Sequence, residues 1–227
     1  MAIAASMSFN SGILLFTDAA ARGRGTTQPE SNKIFRKQYG APPGCACSVF
    51  VVSEPANGRT AAFDRCEREI ASLAAEECTL ERLRRTAEDS FRLARPDAAA
   101  AAASDDHASA FVVLYSPCEK QYAVFRTSDE VFHEVGGYDC AGRAAHLGHY
   151  LIRDRYAAAR SMDGLDLSTV FAIAIDALDG IRACDERCGR SSEMVVMYAD
   201  GHVSEVQRIP HDTRKECQTA LAGLART

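Results

Sequence analysis

The order in which strand-like and helix-like segments follow one another constrains this chain more than any single motif does. Apolar runs at 2–8 and 13–16 flank Asn10-Ser11-Gly12, which predicts a β-hairpin ending at Thr17-Asp18. A stretch rich in Gly, Arg, Thr and Pro covers 19–31 and reads as a loop. Further strands are expected at 33–36 and 45–53, separated by Pro42-Pro43-Gly44. The spacing then changes. Ala61, Ala62, Cys66, Ile70 and Leu73 recur at steps of three and four, the period of one buried helix face. Leu80, Leu83, Ala87 and Phe91 repeat it behind an N-cap at Thr79, and Pro96 ends that helix. Strands return at 111–115, 121–126 and 131–135, closed by Gly136-Gly137. Helical spacing resumes through Ala144, Leu147, Leu151, Ile152 and Tyr156, and again over 168–184, where Ser168 reads as the start. A last hairpin, 193–198 and 202–207, turns at Asp200-Gly201, and a short helix covers 212–224. Blocks segregated in this way predict an α+β protein with two mostly antiparallel sheets and helix pairs packed outside them. No linker divides the chain, so residues 1–227 are expected to form one domain.

Composition narrows the partners. A hydrophobic share of 47% and a charged share of 25% suit a globular chain and argue against disorder, collagen or coiled coil. No stretch approaches the roughly 20 apolar residues that span a bilayer, so no membrane partner is expected. With 26 Lys+Arg against 31 Asp+Glu, a net charge of −5 makes nucleic acid an unsuitable main partner. The 9 cysteines cannot all pair within one chain. Most sit in apolar patterns, as Cys66, Cys184 and Cys217 do, where a reduced cysteine acts as a small buried hydrophobe. The first residues lack the charged and apolar regions of a signal peptide. A cytoplasmic, reduced protein is the resulting expectation.

Common cofactor and metal motifs are incomplete. Gly23-x-Gly25 begins a phosphate-loop pattern, but Gln28 stands where the third glycine would fall. Cys45-x-Cys47 has no second pair at ligand spacing, and His146 and His149, three apart on a helix, have no evident third ligand. Cys184 and Cys188 at a helix end read as packing, and no Gly-x-Ser-x-Gly elbow occurs. Neither a cofactor nor a metal is expected. What remains is Asp18 after one strand and Lys33 opening another, which taken alone reads as a surface ion pair.

Several segments taken in order resemble the proteasome β-subunit family of N-terminal-nucleophile (Ntn) hydrolases. Ala2-Ile3-Ala4-Ala5 leading through Gly12 to Thr17-Asp18 is similar to that family's opening strand, turn and acidic strand end. Lys33-Ile34-Phe35 resembles its Lys-apolar-apolar segment. Asp139-Cys140-Ala141-Gly142-Arg143 resembles the entry to its third helix, and Asp185-Glu186-Arg187-Cys188-Gly189 the Asp-x-x-Ser-Gly loop after its fourth. The resemblance implies a four-layer αββα sandwich, assembly into homo-oligomers, including rings, and hydrolysis of peptide or amide bonds. In such enzymes the side chain of a terminal Thr, Ser or Cys attacks the carbonyl, while its own α-amine, pKa about 7.7–8.0, accepts the proton. By resemblance, Asp18 would orient Lys33, Lys33 would face residue 2, and Asp185 and Cys188 would lie in the shell around the terminal amine.

The nucleophile position is occupied by Ala2. Removal of Met1 would expose an α-amine with no hydroxyl beside it, and a methyl group cannot attack a carbonyl. Cys188 stands where the family often has Ser, Ala141 and Arg143 stand near its other serines, and Pro55 in the strand end 52–55 has no N–H to donate to an oxyanion. Ser6 and Ser8 lie within a strand and have no free amine. The expectation is therefore a hydrolase by lineage that is inactive as written. The alternative is a natural non-catalytic scaffold or ring subunit.

Overall fold

The structure is a computed structural model, and it describes residues 3–18, 33–39, 46–52, 59–93, 110–128, 131–162, 165–184, 191–210 and 214–225. Among the described residues, ten strands and five α-helices follow one another as β1 (Ala4–Phe9), β2 (Gly12–Asp18), β3 (Ile34–Tyr39), β4 (Ala46–Val52), α1 (Arg59–Ala71), α2 (Leu80–Leu93), β5 (Ala110–Ser116), β6 (Gln121–Ser128), β7 (Val131–Glu134), β8 (Tyr138–Ala141), α3 (Ala145–Ser161), α4 (Leu167–Cys184), β9 (Ser191–Tyr198), β10 (Gln207–Pro210) and α5 (Arg214–Leu224).

The strands form two five-stranded sheets, β10-β9-β2-β1-β8 and β3-β4-β5-β6-β7, and every pairing is antiparallel. Side-chain alternation sorts the apolar residues into three layers. Ile13 and Leu15 of β2 meet Val49, Val51, Phe111 and Val113 between the sheets. Leu14 and Phe16 point the other way, onto Val170, Ala174 and Ile181 of α4 and Ile152 of α3. On the far side, Phe50 and Val112 pack against Phe63 and Ile70 of α1 and Leu83 of α2, with the Phe50 and Phe63 rings stacked at 4.5 Å. Helix layer, sheet, sheet and helix layer make the expected αββα sandwich. Because both faces of β2 are covered, all seven of its residues are buried, which is why it reads as an unbroken apolar run.

Four local expectations change. The meander ending at Gly136-Gly137 continues into β8, which leaves the second sheet and pairs with β1, Ala4 opposite Ala141. Gly137 makes the crossing with φ +92°, and its carbonyl accepts from Ser8 N at 2.7 Å. The last hairpin turns at Asp200-Gly201 as expected, Gly201 having φ +85°, but its return is not a continuous strand over 202–207. Val203 bridges Met197, while Gln207 pairs with Met194, so one extra residue bulges between them. Ser204 Oγ fills the break by accepting from Val196 N at 3.0 Å. Thr79 does cap α2, its Oγ1 accepting from Arg82 N at 3.3 Å. Ser168, read as the start of α4, lies one residue inside it, since the helix begins at Leu167. Asp166 Oδ1 accepts from Thr169 N at 2.7 Å and Ser168 Oγ at 2.8 Å. Finally Cys184, read from its pattern as packed, is exposed, because it ends the helix outside the apolar face.

Candidate active site

Asp18 is the last residue of β2 and is completely buried. Its Oδ1 accepts two hydrogen bonds, from Ile3 N at 2.9 Å and Lys33 Nζ at 3.1 Å. The β1–β2 register explains the first. Ala4 lies opposite Thr17, so the chain just before β1 runs beside Asp18. Thr17 Oγ1 donates to Ile3 O at 2.7 Å, and Asp18 N reaches the same carbonyl at 3.3 Å. Both backbone polar groups of Ile3 are therefore pinned by the end of β2, which holds the residue that follows position 2.

Lys33 is also fully buried, and its pair with Asp18 is sealed from solvent on both sides. This overturns the reading of these two residues as a surface ion pair. An ammonium taken out of water costs several kcal/mol and persists only when a carboxylate and further hydrogen bonds compensate it. Its position depends on Glu193. Glu193 Oε2 accepts from Lys33 N at 2.9 Å, and Oε1 accepts from Arg208 Nη2 at 2.5 Å. Glu193, on β9, lies opposite Thr17 of β2 and opposite Arg208 of β10, and only 2% of it is exposed. It thus ties the first sheet to the start of β3 in the second. One strand over, Ser192 pairs with Asp18, and Arg182 near the end of α4 donates to Ser192 Oγ at 2.6 Å.

Sequence reasoning missed Glu193, Arg208, Ser192 and Arg182. A signal existed for the first: a carboxylate interrupts the strand that otherwise runs Met194-Val195-Val196-Met197. Its partners lie 15 and 160 residues away, beyond any local pattern. Of the residues named from sequence, the fold brings Asp18 and Lys33 together. Ala2, Asp185, Cys188, Cys45 and Ser53–Pro55 lie outside the described residues. Val51 pairs with Ile34, so β4 ends beside the start of β3. Gly142 and Arg143 follow β8 at this same end of the sheet.

Thiol chemistry does not compete at Cys140 or Cys66. Burial pushes the Cys140 thiol up to about 12, with Asp139 adding to the effect, and burial beside Glu67 pushes Cys66 to about 12. Thiols held that high stay protonated and unreactive at neutral pH. His149 Nε2 lies 3.2 Å from Asp139 Oδ1. Among the described residues no three His, Cys, Asp or Glu side chains converge as a metal site. No described helix is long and apolar enough to cross a membrane.

No family model matches this chain, and no curated protein matches its sequence. Solved structures do. An Anbu (Gly-1) mutant from Hyphomicrobium sp. strain MC1 superposes with a TM-score of 0.74 at 14% identity, covering 98% of this chain and 92% of its own. Anbu (ancestral beta-subunit) from Yersinia bercovieri gives 0.72 at 13% identity, covering 97% and 92%. A helical assembly of the Anbu complex from Pseudomonas aeruginosa gives 0.68 at 12%, covering 96% and 90%. The chain has the fold of these proteins, which is proteasome-like. They correct the likeness to proteasome β-subunits drawn from sequence: the structures that carry it are Anbu proteins. Element order and the spacing of weak motifs belong to the shared sandwich, so they could not separate one user of that fold from another.

Proposed function

We propose that this chain is a proteasome-like Ntn hydrolase by lineage that no longer hydrolyses peptide or amide bonds, and that it serves as an assembling, non-catalytic subunit. The observation that carries the reading is the Asp18 carboxylate, shared between Ile3 N and Lys33 Nζ and wholly buried. A buried cation beside the start of the first strand suits a terminal nucleophile, because it favours the ionised form of a hydroxyl placed there. Ala2 occupies the nucleophile position and supplies no hydroxyl. In this reading Asp185 and Cys188 complete the surrounding shell, and residues 1–227 act as one unit. The free cysteines among the described residues suit a cytoplasmic setting. Self-association is supported by the likeness to a chain from a helical assembly. An open filament and a closed ring are the two forms to distinguish.

The test restores the missing group. Ala2→Thr, with Met1 removed, is assayed on a broad panel of peptide amides and with an electrophile selective for terminal threonine. Turnover or labelling that disappears in Ala2→Thr/Lys33→Met supports the reading. A folded Ala2→Thr protein inert to both refutes the hydrolase lineage of this site. Native mass measurement tests the assembly, and a monomer at all concentrations refutes it.

A further inference from the structure

The turn between β1 and β2, the β7–β8 crossing, the end of α3 and the approach to α4 meet around a cavity of about 380 Å³. That volume lies in the roughly 300–1,000 Å³ range of small-molecule sites. Its walls are held by bonds that need no guest. Asn10 N donates to Leu165 O at 2.8 Å, Ser8 N to Gly137 O at 2.7 Å, and the Tyr156 hydroxyl to Ser8 O at 2.9 Å. Phe9, Tyr156 and Leu165 supply apolar surface, each less than a tenth exposed. The Phe9 ring is fixed edge-on against Tyr198 at 6.2 Å.

Arg160 is the cation of this cavity, and no acidic residue is among the described residues that line it. Its place in the last turn of α3 suits a positive charge. Yet among the described residues its guanidinium has no hydrogen bond or ion pair, which leaves five N–H donors to water or to a guest. Gly137 marks where a guest meets it. A Cβ on Gly137 would stand 3.6 Å from both Arg160 Nη1 and Tyr156 OH, so one small group near that point reaches both. Gly137, held at φ +92°, lacks that carbon and leaves the space open. Burial pushes the Tyr156 phenol above its usual value, and the Arg160 charge opposes that rise, as a neighbouring cation does. Because the hydroxyl gives its hydrogen to Ser8 O, it can only accept from a guest. The cavity thus asks for a negative group at Arg160, a donor at the Tyr156 oxygen and an apolar body. Inorganic phosphate lacks the last.

We propose that this cavity binds a small organic acid. One carboxylate faces Arg160 and the Asn10 amide, an adjoining N–H or O–H meets the Tyr156 oxygen, and the apolar body lies over Phe9 and Leu165. Apolar N-acyl amino acids and apolar α-hydroxy acids carry these groups in this arrangement. The cavity begins at Ser8, about 17 Å along β1 from Ile3. It is therefore independent of the hydrolase reading and stands if that reading fails.

The test is a ligand-observed NMR titration of the full chain at constant ionic strength. The probes are N-acetyl-leucine, its neutral amide N-acetyl-leucinamide, acetate and inorganic phosphate. The wild type is expected to bind N-acetyl-leucine about tenfold or more tightly than the amide, acetate or phosphate. Arg160→Gln alters an exposed side chain and should abolish the preference for acid over amide. Asn10→Asp suits the same turn and sets a negative charge at the mouth. It should weaken the acid several-fold and leave the amide unchanged. A wild type that binds no probe overturns the proposal, as does equal binding of acid and amide. A preference that survives in Arg160→Gln puts the acid elsewhere and also overturns it. Phosphate or acetate binding as tightly as N-acetyl-leucine shows that the apolar surface takes no part, with the same consequence.

Discussion

Replacing Lys33 by Met tests the buried ion pair most directly. Methionine keeps the length and apolar stem of the lysine and removes only its charge. In the wild type, Lys33 Nζ and Asp18 Oδ1 stand 3.1 Å apart, and neither side chain is more than 1% exposed. Lys33→Met removes the cation from that space, while the buried Asp18 carboxylate still accepts from Ile3 N. Removing one member of a buried pair costs about 3–5 kcal/mol, because the other charge is left uncompensated. In a chain of this size, about 1 kcal/mol moves the midpoint by about 2–4 °C, so Lys33→Met should melt roughly 6–20 °C lower. Adding Asp18→Asn removes the stranded charge and keeps an amide oxygen for Ile3 N. The double variant should therefore recover most of the loss, giving a coupling energy of about 1–3 kcal/mol between the two sites. Urea unfolding at neutral pH reads this as a change in midpoint at constant slope. If Lys33→Met unfolds within about 0.5 kcal/mol of wild type, or if Asp18→Asn gives no recovery, the argument from a buried, mutually dependent pair is wrong.

Three further outcomes follow from the geometry. Glu193→Gln keeps an acceptor for Lys33 N but loses the charge facing Arg208, and should cost about 1–3 kcal/mol in urea unfolding; an unchanged midpoint would remove Glu193 from the site's support. In the native protein at mildly alkaline pH, a thiol reagent should modify exposed Cys118 and Cys184 quickly, and Cys66 and Cys140, both held near 12, only on unfolding; peptide mapping of the modified chain checks the order. Asp166→Ala should cost about 1 kcal/mol at neutral pH as α4 loses its cap. Bonds from Thr169 and Ser168 hold the Asp166 carboxyl below its usual range. The cap's stabilisation is therefore complete above the ordinary aspartate range and lost as pH falls through the lowered value. The wild type and the variant should converge in acid, and a gap that persists there would contradict the assignment.

Much of the sandwich can be read along the chain because its signals are local. Apolar runs of strand length, helical spacing around Cys66 and Ile70, and the Asp200-Gly201 turn each depend on residues a few positions apart. β8 escaped because it is four residues long and its stability comes from β1, more than 130 residues earlier. The α4 start was placed one residue late, at Ser168 instead of Leu167, because Ser168 and Asp166 are both good caps, and only the bond geometry chooses between them.

The site divides along the same line. Sequence by itself determined which groups are present: a carboxylate at Asp18, an amine at Lys33, and a methyl group at Ala2. It also determined the order of the elements, since period and turn chemistry are properties of neighbouring residues. Only the tertiary structure decided that Asp18 and Lys33 are sealed from water and depend on one another, that Glu193 and Arg208 hold the start of β3, and that Arg126 reaches Asp139 across the sheets. Those facts follow from register and from packing one sheet on another, which bring together side chains that no local pattern connects.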